Sequence, residues 1–275
     1  MFDIKKIPFS RYGSFLTISP LFRKEERDKL YLRSVRGGDV DTDFGQIFKI
    51  DLIDNEANIL DYKIEMNAVE LKLKSEKGYV KFCITDKSLV HFKGEGVGLR
   101  LSREGSSYDN AIELDKDRYR VNCAKQDLRF ILKSIEGSLE VDAPWEVDRS
   151  DHIIADIKSE SNIISGVIEE FRTSCEHKKY EKDYKQSLQM VKKDYDSWLE
   201  DTLDLPPNYN RGKELASYIT WSCVVPADER LSRPAMYMSK NWMTNIWSWD
   251  NCFNALALIK NKPQLAWDQI MLFFD

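Results

Sequence analysis

Three tryptophans, several amides and one carboxylate lie close together in the last quarter of the sequence. The segment reads Ser239-Lys240-Asn241-Trp242-Met243-Thr244-Asn245-Ile246-Trp247-Ser248-Trp249-Asp250-Asn251. Flat aromatic rings suit the apolar faces of sugar rings, and Lys, Asn and Asp side chains suit sugar hydroxyl groups. These residue types therefore indicate a carbohydrate site.

Asp250 is the residue of this segment with a direct use in catalysis. Cleavage of a glycosidic bond requires a proton for the departing oxygen. A carboxyl group lodged among indoles keeps its proton more readily than one in water, because burial disfavours the charged form. On this interpretation Asp250 would be the acid, and Trp247 and Trp249 would wall its subsite.

The same spacing also has a purely structural interpretation. Asp250 would then be the N-cap of a helix that begins at Asn251, where a negative charge is favoured in any case. The tryptophans would then be ordinary core residues, as we expect for Trp221 and Trp267. Residue types and spacing alone leave both interpretations open.

Residues 14–158 alternate apolar and polar side chains with a period of two, which is typical of half-buried β-strands. The clearest runs are 14–18, 71–74, 80–84, 97–101 and 128–132. Turn-forming breaks rich in glycine and charged residues separate these runs. We predict about ten strands, which form an antiparallel β-sandwich domain over residues 1–160.

After the strands the apolar period becomes helical. From Tyr180 to Leu203 apolar residues recur every three to five positions, which predicts an amphipathic helix of about 25 residues that ends before Pro206. Further helices are predicted over residues 213–225, after Asp250 and from Pro263 onward. We assign residues 161–205 to a linker helix region and residues 206–275 to the start of a helical domain.

Composition excludes several classes of function. Lys plus Arg is 41 and Asp plus Glu is 46, a formal charge of -5 with no dominant block of like charge, which argues against a nucleic-acid partner. No apolar run is long enough to span a membrane, and the N-terminus lacks the apolar stretch of a secretory signal. We therefore expect a cytoplasmic protein with no membrane partner.

Cysteine and histidine spacing gives no sign of a metal site or a disulfide framework. The five cysteines, Cys83, Cys123, Cys175, Cys223 and Cys252, include no C-x-x-C pair. Of the three histidines, His91, His152 and His177, only His177 lies within four residues of a cysteine or another histidine, two positions after Cys175, and one such pair is too few ligands for a metal site. We expect no metal, and glycoside hydrolysis of the kind considered above needs no cofactor.

The tryptophan-rich segment also resembles a known family. Residues 238–242 and 246–253, followed by Pro263-Gln264-Leu265-Ala266-Trp267-Asp268-Gln269, resemble glycoside hydrolase family 63. The likeness is to the bacterial branch that contains mannosylglycerate and glucosylglycerate hydrolases and sequences labelled amylo-alpha-1,6-glucosidase or glycogen debranching enzyme. It is sharp over residues 205–275 and only architectural over residues 1–160.

The resemblance implies a fold and a mechanism. The family has a β-sandwich before an (α/α)6 barrel and carries its general acid in an aromatic-x-Trp-Asp turn, which here is Trp247-Ser248-Trp249-Asp250. It implies that Asp250 is the general acid of an inverting α-glycosidase. Tyr237, Lys240 and Trp242 would contact the sugar or a glycerate-like anionic group. Asn251 would either cap the helix or bind a hydroxyl group.

The resemblance also implies that part of the site lies elsewhere. Inversion requires a second carboxylate as the base, and in the family that residue lies downstream of the position of Asp275. The roughly 70 residues after Pro206 hold only the first helices of a twelve-helix barrel. We therefore expect an incomplete barrel, finished by a missing C-terminal segment or a partner chain, and little or no hydrolysis by these 275 residues alone.

Two other functions remain open from the sequence. The chain would be a carbohydrate-binding or interaction module without catalysis if the strand-rich half supplied the binding surface. It would be part of a sugar phosphorylase of the same architecture if phosphate replaced water as the attacking group. In that case a single acid would suffice and no base would be needed.

Overall fold

The structure is a computed structural model that describes residues 2–21, 27–40, 45–159, 161–173, 180, 182–228 and 230–274. Cys175, His177 and Asp275 lie outside these described residues. No helix within them is long and apolar enough to cross a membrane.

Short antiparallel strands make up most of the chain before residue 172. The first ten are β1 (Phe9–Ser10), β2 (Leu16–Ser19), β3 (Leu30–Ser34), β4 (Gln46–Ile53), β5 (Ile59–Leu60), β6 (Lys63–Met66), β7 (Leu71–Lys74), β8 (Tyr79–Asp86), β9 (Leu89–Glu95) and β10 (Gly98–Glu104). The next eight are β11 (Asn110–Asp115), β12 (Arg118–Cys123), β13 (Leu128–Glu136), β14 (Ser138–Asp142), β15 (Trp145–Glu146), β16 (Arg149–Ser150), β17 (His152–Lys158) and β18 (Ile163–Phe171).

These strands form two eight-stranded sheets and one small hairpin. The first sheet has the order β1-β2-β3-β4-β10-β17-β14, with β5 paired to β4, and the second has the order β11-β12-β13-β18-β9-β8-β7-β6. Apolar side chains from both sheets share one core, in which Phe48 and Phe130 meet edge to face at 5.6 Å between ring centroids. This packing confirms an antiparallel β-sandwich followed by helices.

Local alternation located the long strands but undercounted the short ones. All five predicted runs coincide with strands, and β7 matches its run residue for residue. Within the described part of residues 14–158 there are sixteen strands, β2 to β17, instead of about ten. The prediction missed two-residue strands, and it missed β3, whose five residues are all buried and therefore show no alternation.

The second sheet also continues past the predicted end of the sandwich. β18 is the central partner of β13 and β9, although its residues fall in the predicted linker helix region. Its burial pattern is almost continuous, because both faces are covered. The sandwich strands therefore end at Phe171 rather than at residue 160.

Four α-helices lie in the described residues, α1 (Tyr184–Glu200), α2 (Asn210–Cys223), α3 (Ser248–Leu258) and α4 (Pro263–Met271). The first is shorter than the 25 residues predicted, because Asp183 caps it in a capping box with Gln186 and it ends before Leu203. A two-stranded sheet of β19 (Val224–Val225) and β20 (Ala235–Met236) separates α2 from the tryptophan-rich segment.

His91 joins the sandwich to α1. Its Nδ1 atom lies 3.2 Å from the Ser187 hydroxyl group, and its ring meets Tyr184 edge to face at 5.6 Å. Burial lowers the pKa of His91 to about 4, so the folded protein holds the neutral imidazole.

This burial predicts a pH-dependent loss of stability. Unfolded His91 takes up a proton below about pH 6.5, while the folded protein resists it until about pH 4. The free energy of unfolding should therefore fall by up to about 1.4 kcal/mol per pH unit across that window from this group. His91→Phe keeps the ring contact and should remove this part of the slope in urea titrations. Equal slopes for both proteins would contradict the prediction.

Candidate functional site

Residues 237–247 form the loop that precedes α3, and we call it the aromatic loop. It is closed on itself by hydrogen bonds from the Met238 N–H to the Asn245 carbonyl at 3.0 Å and from the Ser239 N–H to the Met243 carbonyl at 3.1 Å. Three ties described below connect the loop to the sandwich.

Lys240 is the first tie, and it is buried with only 1% of its surface exposed. Its Nζ atom donates to four oxygens, the Ser10 hydroxyl at 3.1 Å and the carbonyls of Arg11, Ser14 and Val224 at 3.1, 2.6 and 3.2 Å. Burial lowers the pKa of Lys240 to about 7. The predicted sugar contact of Lys240 is therefore wrong in this structure, because its ammonium group faces backbone oxygens of the sandwich.

Asp39 is the second tie, and it lies in the sandwich segment that follows β3. Its carboxylate accepts hydrogen bonds from the Thr244 N–H at 2.6 Å, the Thr244 hydroxyl at 3.3 Å and the Asn245 amide at 2.7 Å. The neighbouring Gly38 has φ +64, and a Cβ atom there would lie 3.0 Å from Asn245 Oδ1. A positive φ and a close neighbour both favour glycine at this position.

Tyr237 is the third tie. Its ring packs against Phe15 at 6.5 Å between centroids, and the Arg36 guanidinium lies 4.2 Å from the Phe15 ring centre. Arg36 in turn pairs with Asp228 at 3.1 Å and with buried Glu170. Tyr237 is largely buried, and burial raises its pKa to about 12. It is a packing residue, although it also borders the cavity described next.

Asp250 lies in the first turn of α3, as its third residue. Trp247 occupies the N-cap position, so the structural interpretation of Asp250 as the N-cap is wrong. The half-buried Asp250 borders a cavity of about 160 Å³ together with Tyr237, Met238 and Phe253. Its carboxylate makes no hydrogen bond or ion pair with any residue that the structure describes. The group is therefore available to a ligand.

The hydrogen bonds of Asn251 fit the predicted capping role rather than the predicted ligand contact. It is fully buried, and its Oδ1 accepts the Trp247 N–H at 3.1 Å. Its Nδ2 donates to Gln269 Oε1 at 3.0 Å and to the Met236 carbonyl at 3.4 Å. Both polar ends are thus occupied, and Asn251 holds the start of α3 against α4 and β20.

The three tryptophans of the segment are partly open to solvent. Trp242, Trp247 and Trp249 are 48%, 45% and 65% exposed, and Trp249 meets Phe253 edge to face at 5.9 Å. They are therefore not core residues, and part of each indole is exposed to solvent. Trp221 is buried as expected, whereas Trp267 is 55% exposed and the expectation of a core position is wrong.

The sequence analysis missed the residues that hold the site together. Asp39 contacts the aromatic loop directly, Gln269 contacts the preceding residue Met236, and Arg36 contacts Phe15, against which Tyr237 packs. Local patterns gave no sign of these contacts. The Gly37-Gly38-Asp39 turn could have indicated a close approach, but its partner lies 205 residues away.

Within the described ranges, no three His, Cys, Asp or Glu side chains come together in a group that could hold a metal ion. Cys83, Cys123 and Cys223 are buried as free thiols, and Cys252 is an exposed one. The chemistry that this site offers comes from a carboxylate, indole rings and backbone groups.

Comparison with known proteins identifies the fold alone. No protein-family model matches the sequence, and no curated protein matches it. Among solved structures with a similar fold is one that bears the name of a kojibiose phosphorylase from the human microbiome, with a TM-score of 0.56 and 10% identity. The match covers 98% of this chain but 46% of that one, so this chain spans about half the length of its structural neighbour.

The ties to the sandwich predict a local response to removal of Asp39. Asp39→Ala leaves the Thr244 N–H and the Asn245 amide without their acceptor, so hydrogen exchange of residues 238–247 should speed up severalfold. Exchange in β8 and β9, far from this contact, should not change. Asp61→Ala, which removes a carboxylate from the β5–β6 turn, is the matched control. Unchanged exchange in residues 238–247 would show that Asp39 does not hold the loop.

Proposed function

We propose that this chain carries the acid half of a glycoside-cleaving site, with Asp250 as the proton donor. The observation that supports it best is the unpaired Asp250 carboxylate at the edge of a cavity of about 160 Å³, with the partly exposed Trp247 and Trp249 next to it in the sequence. The fold, which is that of a structure named as a sugar-processing enzyme, agrees with this proposal.

The proposed reaction is inverting hydrolysis. Asp250 gives its proton to the departing glycosidic oxygen while water attacks the opposite face of the anomeric carbon. The attacking water gives up a proton to a second carboxylate, which in inverting enzymes lies about 6.5–9.5 Å from the acid. We propose that this base lies outside the 275 residues, in the part of the enzyme that corresponds to the unmatched half of the structural neighbour.

The proposed substrate contacts follow from which side chains are exposed. Trp242, Trp247 and Trp249 offer partly open aromatic faces, on which the apolar face of a sugar can lie. Lys240 and Asn251 are buried and position this surface, whereas Tyr237 borders the cavity at Asp250 and would contact the substrate there. The resemblance to glycoside hydrolase family 63 narrows the proposed substrate to an α-glucoside or a glycosylglycerate.

Phosphorolysis is the second candidate, and it is the reaction that appears in the name of the structural neighbour. Phosphate would then attack the anomeric carbon, the glycosidic bond would break, and Asp250 would protonate the same departing oxygen. The products would be a sugar phosphate and a shortened sugar, with no base required. Both reactions use Asp250 in the same way and differ only in the attacking group.

Replacement of the proposed acid should abolish turnover and leave the fold unchanged. In the full-length enzyme, Asp250→Asn should reduce kcat by about 10²–10⁴-fold on an unactivated glycoside, because the leaving oxygen no longer receives a proton. Glu200→Gln, which neutralises an exposed acid at the end of α1, should leave kcat unchanged. Circular dichroism and thermal melts check that both variants fold. A normal rate for Asp250→Asn would remove this residue from the mechanism.

The two candidate reactions differ in whether they require phosphate. If the enzyme is a hydrolase, the release of reducing sugar should proceed in a phosphate-free buffer and should not increase with added phosphate. If it is a phosphorylase, product should form only with phosphate and should appear as a sugar phosphate. Chromatography of the products with and without phosphate decides between the two reactions.

A further inference from the structure

The cavity at Asp250 is lined by two stretches of chain that belong to different elements. Met236, Tyr237 and Met238, at the end of β20 and the start of the aromatic loop, form one wall. Asp250 and Phe253 of α3 form another, and residues of α2 complete the lining. The position of Asp250 relative to a ligand in the cavity therefore depends on how β20 and the start of α3 are held together.

Gln269 of α4 contacts both walls without lining the cavity itself. Its side chain is completely buried. Its Oε1 atom accepts hydrogen bonds from the Met236 N–H at 2.7 Å and from Asn251 Nδ2 at 3.0 Å. Met236 belongs to the first wall, and Asn251 follows Asp250 in the sequence of α3. A single oxygen atom thus joins the two walls.

The orientation of the Gln269 amide is fixed by its partners. Its Nε2 atom donates to the carbonyls of Pro234 and Leu265, both at 3.0 Å. The Met236 N–H can only donate and the two carbonyls can only accept, so an amide turned by 180° would lose all three hydrogen bonds. A buried amide whose hydrogen bonds are all made is costly to displace.

Asn251 transmits the position of Gln269 to the first turn of α3. Its Oδ1 atom accepts the N–H of Trp247, the N-cap residue, at 3.1 Å. Its own backbone N–H donates to the Trp247 carbonyl at 2.9 Å. These two hydrogen bonds close the turn that contains Asp250. The hydrogen bond between Gln269 and Asn251 therefore fixes where this turn lies.

The residue before Gln269 holds α4 in place for this contact. Asp268 is buried and pairs with Arg233 at 3.3 Å. Arg233 directly precedes Pro234, whose carbonyl accepts the hydrogen bond from Gln269. An ion pair and a hydrogen bond thus attach α4 to the same short segment before β20, and Gln269 reaches the cavity walls from a fixed helix.

We propose that Gln269 is a positioning residue for the proton donor, because its amide sets the separation between β20 and the first turn of α3. The inference rests on the proposed function, in which Asp250 is the donor. Gln269 touches neither the substrate nor the reacting atoms and acts through Asn251. A misplacement of about 1 Å at a reacting group can slow a reaction about 100-fold.

The first test is hydrogen exchange of single amides, measured by NMR on the 275-residue chain. Gln269→Met keeps a side chain of similar length but removes the amide. Exchange at the Met236 N–H should speed up about tenfold, because this donor loses its acceptor, and exchange at Trp247 should speed up severalfold through Asn251. Gln264→Met makes the same change at an exposed position of α4, where the amide contacts Asp268 and neither wall. It should leave both amides unchanged.

The second test is the kinetics of the full-length enzyme. In Gln269→Met, kcat and kcat/KM should fall together by about 10- to 100-fold with KM nearly unchanged, because the sugar still binds while the donor is misplaced. Gln264→Met should keep the parental kcat. Val191→Ala, which removes buried apolar surface from α1, should also keep it and controls for a general loss of stability.

A second variant serves if Gln269→Met does not fold. Asn251→Ala removes the other end of the contact, so exchange at Trp247 should speed up and kcat should fall in the same way. Exchange at Met236 should stay slow in this variant, because Gln269 still accepts that N–H. Circular dichroism and thermal melts check the fold of every variant.

The outcomes separate this inference from the proposed function. Unchanged exchange at Met236 and Trp247 in Gln269→Met overturns the inference, and so does a normal kcat for Gln269→Met when Asp250→Asn abolishes turnover. An equal fall of kcat in Val191→Ala overturns it too, since loss of stability alone would then explain the effect. A normal rate for Asp250→Asn overturns the proposed function and with it the catalytic role of Gln269, even where faster exchange shows that Gln269 holds the cavity walls.

Discussion

A single buried ammonium group fixes the relation between the sandwich and the aromatic loop. Lys240 Nζ donates to oxygens of the β1–β2 segment and to the Val224 carbonyl at the end of α2. A buried charge is tolerated only where hydrogen bonds replace the water that it loses. Displacement of the loop would leave the ammonium group and several carbonyls without partners. The sandwich and the start of the helical region therefore hold one geometry at this point.

This constraint divides the residues of the tryptophan-rich segment into two groups. Lys240, Tyr237 and Asn251 point into the protein, where each contacts partners that it cannot release without exposing buried polar or aromatic groups. Asp250 and Trp249 remain accessible, and the buried residues of the first group hold them in place. The tryptophan-rich segment thus contains two kinds of residue, buried and accessible. The buried residues fix the positions of the accessible ones.

How much of this arrangement the sequence could predict depends on how far apart in the sequence the interacting residues lie. Alternation and helical spacing are local, and they located β7, β8 and the four helices. The position of Asp250 near the start of a helix was also predicted, although the helix begins two residues before it, at Ser248, rather than after it. The burial of Lys240 depends on Ser10 and Arg11, 230 and 229 positions away, and no local pattern reports such a contact. The same holds for Asn251, whose amide looks equally suited to a hydroxyl group until Gln269 is placed beside it.

The contribution of the exposed tryptophans to ligand affinity depends on how rigidly the protein holds them. Exposed indoles lose contact with water when a ligand covers them, at about 25 cal/mol per Å² of apolar surface buried. That gain contributes to affinity only as far as it exceeds the cost of ordering the binding surface. The ties through Lys240 and Asp39 order the aromatic loop in advance, so little of the gain is lost when a ligand binds. The position of the proposed proton donor is fixed in the same way, because Asp250 belongs to a helix whose first turn Asn251 anchors to α4.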